Sequence, residues 1–312
     1  MLVVKDHRDF QLRYSRCVAT IGKFDGVHQG HQAILGQLRG KAAQLELPAL
    51  VILIEPHPEE FFAPTPEQCP ARLNTLDEKL ALLEAMDIDF VYLLKFDAAL
   101  SQLSAADYIR DILVDGLGIA AFIVGNDFRY GYQRRGDFQL LQEAGGKFGF
   151  EVIETATCVV EGHRVSSTYV RQQLEAANFP LVERLLGRPY SISGEVVEGR
   201  KLGADLGFPT CNVNLHRQRV PLHGVYACEV DVDGRSYPAA VNIGYRPTVT
   251  DLGEALLEAH LLDFSGDLYG RTLEVIFRGK VRGEEKFDSL EALIRQIARD
   301  VEQVRAFFAA ET

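Results

Sequence analysis

The 312-residue chain has no tryptophan and two methionines, and none of its apolar runs approaches the roughly 20 residues that a membrane-spanning helix requires. Its first residues, MLVVKDHRDF, lack the apolar core of about 7–15 residues that marks a secretory signal. The five cysteines, Cys17, Cys69, Cys158, Cys211 and Cys228, are odd in number and widely spaced, with no C-x-x-C pair. Zinc binding and dithiol redox chemistry are therefore not indicated. The thiols read as reduced, and the cytoplasm is the expected location. Positive charge is also scarce: 33 Lys and Arg face 44 Asp and Glu, a net charge of −11, and neither half of the chain hides a basic arm. Broad contact with nucleic acid needs a basic stripe, so any anion handled here is small and locally bound.

What is present is a globular composition, 47% hydrophobic and 25% charged, with too little bias for a disordered or fibrous chain. The length exceeds the usual about 100–200 residues of one domain and predicts two. From Val18 a short apolar strand runs into a glycine-bearing turn between Gly22 and Gly30, followed by a helix from about His31 to Leu45. Residues 49–54 are apolar without interruption, the pattern of a strand buried on both faces. Helical spacing at 76–86, a strand at 90–94, a helix at 105–117 and a strand at 121–124 continue the alternation. Such order predicts a parallel sheet with crossover helices, whose ligands sit at the carboxyl ends of the strands. From Tyr190 onward, short alternating segments punctuated by Gly and Pro predict an antiparallel barrel or sandwich. Residues 289–308 return to helical spacing, with Leu290, Leu293, Ile294, Ile297, Val301 and Val304 in one stripe. The domains are placed at 1–186 and 187–312.

Residues 19–31, ATIGKFDGVHQGH, carry the strongest signal of the first half. A strand entering a tight turn and then a helix leaves unpaired N–H groups at the turn, a ready anion site. His28 and His31, three apart, can share a face of the first helical turn and donate to one phosphate. Gly26 and Gly30 let the backbone approach closely. A pair of surface histidines, or two metal ligands lacking a third, are the blander readings. In VSSTYVR, residues 165–171, Ser166 or Ser167 suits an N-cap, and capping alone explains the triplet equally well. Arg171, a cation set against the helix dipole, favours an anion between the hydroxyls and the guanidinium. In IVGNDFRYG, residues 123–131, Asp127 suits a phosphate-bound magnesium or a substrate hydroxyl, and Arg129, Arg134 and Arg135 could counter phosphate charge. Plain turn formation by Asn126 and Asp127 is the alternative.

The second half contains GRKLGADLGFPTCN, residues 199–212. Thr210 and Asn212 are two apart, so on a strand they share a face and offer hard oxygen ligands to a magnesium already held by ATP. The glycines at 199, 203 and 207 would form a flexible cover over the phosphates, and a ligand-free barrel turn is the alternative. Glu258 stands in LLEAHLL, residues 256–262, where burying a carboxylate is costly unless it has a partner or a task. It is a candidate general base, against an ordinary barrel-rim glutamate. Phe61, Phe62, Phe128 and Tyr130 could stack on a ligand ring, although core packing is the commoner use of an aromatic residue.

GKFDGVHQGHQ, VGNDFRYG and SSTYVR, in that order and spacing, resemble the adenylyltransferase half of the bifunctional bacterial riboflavin kinase/FAD synthetase family. LGFPTCN, GVYA, NIGYRPT and the surroundings of Glu258 resemble its kinase half, so the likeness runs from about residue 20 to about residue 305. The resemblance implies a Rossmann-like nucleotidylyltransferase domain with a parallel sheet, then an antiparallel β-barrel followed by a long C-terminal helix. It implies two magnesium-dependent reactions of ATP, riboflavin to FMN and FMN to FAD. It assigns His28, His31, Ser167, Thr168 and Arg171 to ATP, with Gly22, Phe24, Asp25, Gly26, Gly30 and Arg129 as further binding positions, and Asp127 to the transfer site. In the kinase half it assigns Gly203, Gly207, Pro209, Thr210 and Asn212 to Mg-ATP, the last two as metal ligands, and Glu258 as the catalytic base. The implied partners are riboflavin, FMN, FAD and ATP, without nucleic acid or membrane. Ala204 stands where many relatives carry arginine, and Cys211, Lys23 and Tyr130 replace a common alanine, asparagine and phenylalanine. Two rivals remain: a single-activity nucleotidylyltransferase with an inert barrel, and a flavin carrier that consumes no ATP.

Overall fold

The continuous apolar run at residues 49–54 is explained by its place at the middle of a sheet covered on both sides. In the computed structural model, which describes residues 1–65, 68–199, 206–217, 219–246 and 254–310, two units are distinguished. The first comprises Met1–Pro70 with Leu76–Ser166, and the second Ala71–Thr75 with Ser167–Thr312. In the first unit, β1 (Leu2–Val4), β2 (Cys17–Gly22), β3 (Ala49–Glu55), β4 (Phe90–Lys95), β5 (Ile119–Val124) and β6 (Glu151–Glu154) form one sheet. Its order is β1-β4-β3-β2-β5-β6, and every pairing is parallel. Alternate residues of β2 and β3 enter different layers. Cys17, Ala19, Leu50 and Ile52 pack with Phe10, Leu113 and Phe122, whereas Val18, Val51 and Leu53 pack with Leu35, Leu38 and Leu83. All five cysteines are free, and burial pushes the Cys17 thiol up to about 12.

The chain winds from β2 through β3 to β4 on one side and then crosses to β5 on the other, so strand order reverses between β2 and β5. Ligands of open parallel sheets bind beyond the carboxyl ends at such a reversal. The turns that leave β2 at Gly22 and β5 at Val124 meet this condition. The helix after β2 spans Gln29–Leu45, starting two residues before the position read from spacing, because His28 serves as its N-cap. The stretch expected as a single helix at 105–117 is α-helical only over Ala105–Asp107 and becomes a π-helix over Tyr108–Val114. The wider turn brings Tyr108, Ile109 and Leu113 to one buried side. A hairpin of β7 (Val159–Val160) and β8 (His163–Arg164) closes this unit.

In the second unit, β9 (Ser191–Val197), β10 (Cys211–Asn214), β11 (Gly224–Val232), β12 (Arg235–Arg246), β13 (Glu254–Leu261) and β14 (Thr272–Arg282) form a closed barrel in the order β10-β13-β12-β11-β14-β9. Closure decides between the barrel and the sandwich. The helix Phe179–Leu186 belongs to this unit, with Phe179 edge-on to Tyr226 and stacked on Phe277. The long helix Leu290–Ala310 buries Val304 with Ala227 and Leu262, while Leu290 is exposed and lies outside the apolar stripe. A two-pronged ion pair from Arg282, at the end of β14, to Asp300 ties this helix to the barrel.

Candidate functional site

β2 delivers its chain end to a strained turn. Phe24 and Val27 have positive φ values of 48° and 39°, beside Gly26 at 86°. A β-branched residue rarely adopts this conformation, and burial of Phe24, Asp25 and Val27 holds the turn in place. His28 then caps the helix, its Nδ1 accepting from the His31 N–H at 3.3 Å. An accepting Nδ1 leaves the proton of a neutral ring on Nε2. The two imidazoles stack, 3.7 Å between centroids and 12° between planes, with the Phe24 ring 4.9 Å from His31. At Gly30 a Cβ would press on the His28 ring at 3.2 Å and approach the Val165 carbonyl at 3.6 Å. A Cβ at Gly22 would meet the Phe24 ring at 3.0 Å. Burial, reinforced by the neighbouring His28 ring and the Lys23 and Lys79 charges, holds His31 well below the usual imidazole range. Its Nδ1 is buried without a hydrogen-bond partner among the described residues.

Behind this turn sits a group that reading the sequence missed. Lys79, on the helix Leu76–Glu84, is fully buried and donates to the Lys23 carbonyl at 3.2 Å. Its Nζ also lies 3.0 Å from His57 Nε2 and 3.5 Å from a Glu55 carboxylate oxygen. The available signal was a lysine in the stripe shared by Leu76, Leu80 and Leu83.

Beyond β5, Asp127 is paired with Arg164 of β8 at 2.6 Å, which holds its carboxyl below the usual range. The Arg129 guanidinium turns back on its own loop, donating to the Asn126 and Phe128 carbonyls at 3.2 and 2.8 Å. Tyr130 is buried, stacked at 5.4 Å on Phe128 and near Tyr108, and the hydroxyls of both tyrosines lack partners among the described residues. Phe61 and Phe62 are exposed and form an edge-on trio with Phe96 at 5.1–5.6 Å.

Ser167 and Thr168 open the helix Ser167–Glu175 in the second unit. Arg171 is the fifth residue of that helix rather than part of its first turn, and its Nε donates to the Ala71 carbonyl at 2.6 Å.

The barrel gathers the other constellation by strand register. Glu258 of β13 lies opposite Asn212 on β10 and opposite Asn242 on β12, so one carboxylate stands between two amides on neighbouring strands. The apolar run around Glu258 is an alternating strand: Leu257 and Ala259 enter the core, while Glu258 points to the other face and is only half-buried. The cost of full burial inferred from the run therefore does not arise. Thr210 directly precedes β10, and continuing the register one step sets it opposite His260. His260 Nδ1 is 2.8 Å from the Pro209 carbonyl, and its ring lies edge-on to Phe208 at 5.8 Å. A carbonyl can only accept, so this contact puts the proton on Nδ1. Gly207 has φ 86°, and Gly203 and Ala204 lie outside the described residues. A Cβ at Gly199 would fall 1.9 Å from the Asn212 amide nitrogen, so that glycine makes room for the amide. A hydroxyl, an amide carbonyl and a nearby carboxylate form an oxygen set that suits a hard cation arriving with phosphate. Asn242 and His260 were not singled out from the sequence, although strand parity with Glu258 was available as a signal.

A family profile described as FAD synthetase matches residues 11–169, and one described as riboflavin kinase matches residues 186–308. A Pseudomonas fluorescens protein named bifunctional riboflavin kinase/FMN adenylyltransferase is 52% identical over 309 residues, covering 99% of this chain and 98% of its own. Relatives of the same name from Escherichia coli K12 and Haemophilus influenzae are 47% and 44% identical, covering 97% and 94% of this chain and 96% and 94% of their own. A solved structure titled as a macrolide-efflux protein from Streptococcus pneumoniae matches with a TM-score of 0.81 at 28% identity, over 97% of this chain and 98% of that one. Among the described residues here, no helix is long and apolar enough to cross a membrane. Two profile matches and identity along nearly the full length establish that the chain belongs to the bifunctional riboflavin kinase/FMN adenylyltransferase family.

Proposed function

We propose that the protein converts riboflavin to FMN with one ATP, releasing ADP, and FMN to FAD with a second ATP, releasing pyrophosphate. The observation that carries this reading is the presence of two distinct constellations, the stacked histidines in the first unit and the Asn212–Glu258–Asn242 row in the second. Functionally the modules divide at 186/187, and the enzyme works in the cytoplasm.

In the kinase module Glu258 takes the proton of the riboflavin 5′-hydroxyl as that oxygen attacks the γ-phosphorus of ATP and the bond to ADP breaks. Asn212 and Asn242 flank Glu258 in the strand register. Thr210 and Asn212 would hold magnesium, which supplies neutralisation of phosphate charge. Pro209 and Gly207 line the approach of the nucleotide.

In the adenylyltransferase module an FMN phosphate oxygen attacks the α-phosphorus of ATP and pyrophosphate leaves. A phosphate nucleophile is already ionised, so the protein aligns two anions and absorbs developing charge. His28 and His31 donate to the ATP phosphates, with Gly22, Phe24, Asp25, Gly26 and Gly30 shaping the turn. The family resemblance assigns Ser167, Thr168 and Arg171 to ATP. Asp127 and Arg129 serve the transfer site, and Asp127 must exchange its Arg164 partner to do so.

Incubation of the pure protein with riboflavin, ATP and magnesium, with the flavins resolved chromatographically over time, is expected to give FMN and then FAD. Unchanged riboflavin would overturn the kinase assignment, and FMN without FAD the second activity. A His28→Ala, His31→Ala double variant is expected to stop at FMN.

A further inference from the structure

Lys79 has no solvent exposure, yet it occupies a helix face shared with Leu76, Leu80 and Leu83, where an apolar side chain would pack. Burial strips the ammonium of its water, a cost that leucine or methionine would not incur. The contacts of Nζ show where the charge is used. It lies 3.0 Å from His57 Nε2 and 3.5 Å from a Glu55 carboxylate oxygen. Its third contact, at 3.2 Å, is the main-chain carbonyl of Lys23, inside the turn that carries Phe24 and Val27 at positive φ. In a planar trans peptide the C=O and N–H point in opposite directions. Holding the Lys23 carbonyl toward Lys79 therefore turns the Phe24 N–H away from it.

We propose that Lys79 is a positioning residue of the adenylyltransferase site, whose buried ammonium orients the Lys23–Phe24 peptide and supplies a fixed positive charge beneath the turn that receives the ATP phosphates. This role rests on the reading of the first module as an FMN adenylyltransferase. In a poorly solvated setting a fixed cation acts over a longer distance than a surface lysine does, whereas the Lys23 ammonium is ion-paired with Glu59 at 2.5 Å. The groups around His31 report the same field. Lys79 from its helix and Lys23 from the turn are the cations that oppose its protonation, the His28 ring stacks on it from the cap, Phe24 covers it, and Asp25 is the acidic residue of the turn.

Lys79→Met keeps the volume and removes the charge. The expected result is a fall of about a hundredfold in kcat/KM for ATP in FAD formation from supplied FMN. Riboflavin phosphorylation by the same chain stays unchanged, and the His31 titration followed by NMR moves to higher pH. Lys79→Arg is expected to recover most of the loss, and Lys79→Gln, which keeps a donor without the charge, is not. FAD formation by Lys79→Met at the rate of the unsubstituted chain, or equal losses in the Arg and Gln variants, overturns the role of Lys79. If Lys79→Met also loses phosphorylation, the protein is misfolded and the Arg and Gln pair decides on the same criterion. An unsubstituted chain that makes no FAD from FMN and ATP overturns the adenylyltransferase reading instead.

Discussion

Glu258 and His31 show how much two side chains owe to their neighbours. Glu258 owes its position to register: pairing places Asn212 on one side and Asn242 on the other. Glu258→Gln keeps the shape and removes the proton acceptor, so FMN formation is expected to fall by about 10²–10⁴. Chromatography of the same variant supplied with FMN should show unchanged FAD formation, and loss of both activities would contradict independent sites. His31 is disfavoured as a cation in the folded protein, first by burial and then by its cationic neighbours. Below the ordinary imidazole value of 6.5 the unfolded chain binds more protons than the folded one. Stability is therefore fully present above 6.5 and falls as pH drops from there toward the lower folded value. Urea unfolding of the first unit between pH 7 and pH 5 should show this slope, and His31→Gln should flatten it.

Among the structural elements, β10 and β13 depend on a contact outside their ladder. The imidazole of His260 donates to the Pro209 carbonyl and holds the residues just before β10 against β13, so that Thr210 follows the register of Asn212. His260→Ala is expected to raise the KM for ATP in riboflavin phosphorylation about tenfold, with FAD formation from FMN unaltered, as steady-state kinetics of the two reactions would measure. An unchanged KM would show that the strand pairing alone positions Thr210. These elements also show what the sequence could convey. The run at 49–54 announced a doubly covered strand because apolar composition is itself the mark of burial on both faces. The π-helix at Tyr108–Val114 was hidden, since its residues are ordinary helix formers and the wider turn reflects tertiary packing of Tyr108. His28 and His31 could be located because their spacing is local, whereas Glu55, His57 and Lys79 meet only after folding brings separate segments together. Glu258 was found by its charge, but its amide neighbours depend on pairing between strands that are distant in sequence.

Over the whole molecule, the two constellations belong to different units, and FMN is the product of one and the substrate of the other. A mixture of the Glu258→Gln chain with the His28→Ala, His31→Ala chain is expected to make FAD from riboflavin, because FMN released by one can be used by the other. Chromatography showing FMN accumulation without FAD would mean that the intermediate is not exchanged between chains. The net charge of −11 is compatible with this division, since a locally bound phosphate needs a few placed cations and N–H groups rather than a basic face.

Barrel closure has a consequence for the order in which the activities arise. Each strand of the parallel sheet lies between Leu2 and Glu154, so that sheet can be completed while the rest of the chain is still being synthesised. The barrel closes only when β14, ending at Arg282, pairs with both β9 and β11. Glu258 and its amides are thus fixed in place near the end of synthesis, and the module that acts second on the flavin is the one that can fold first.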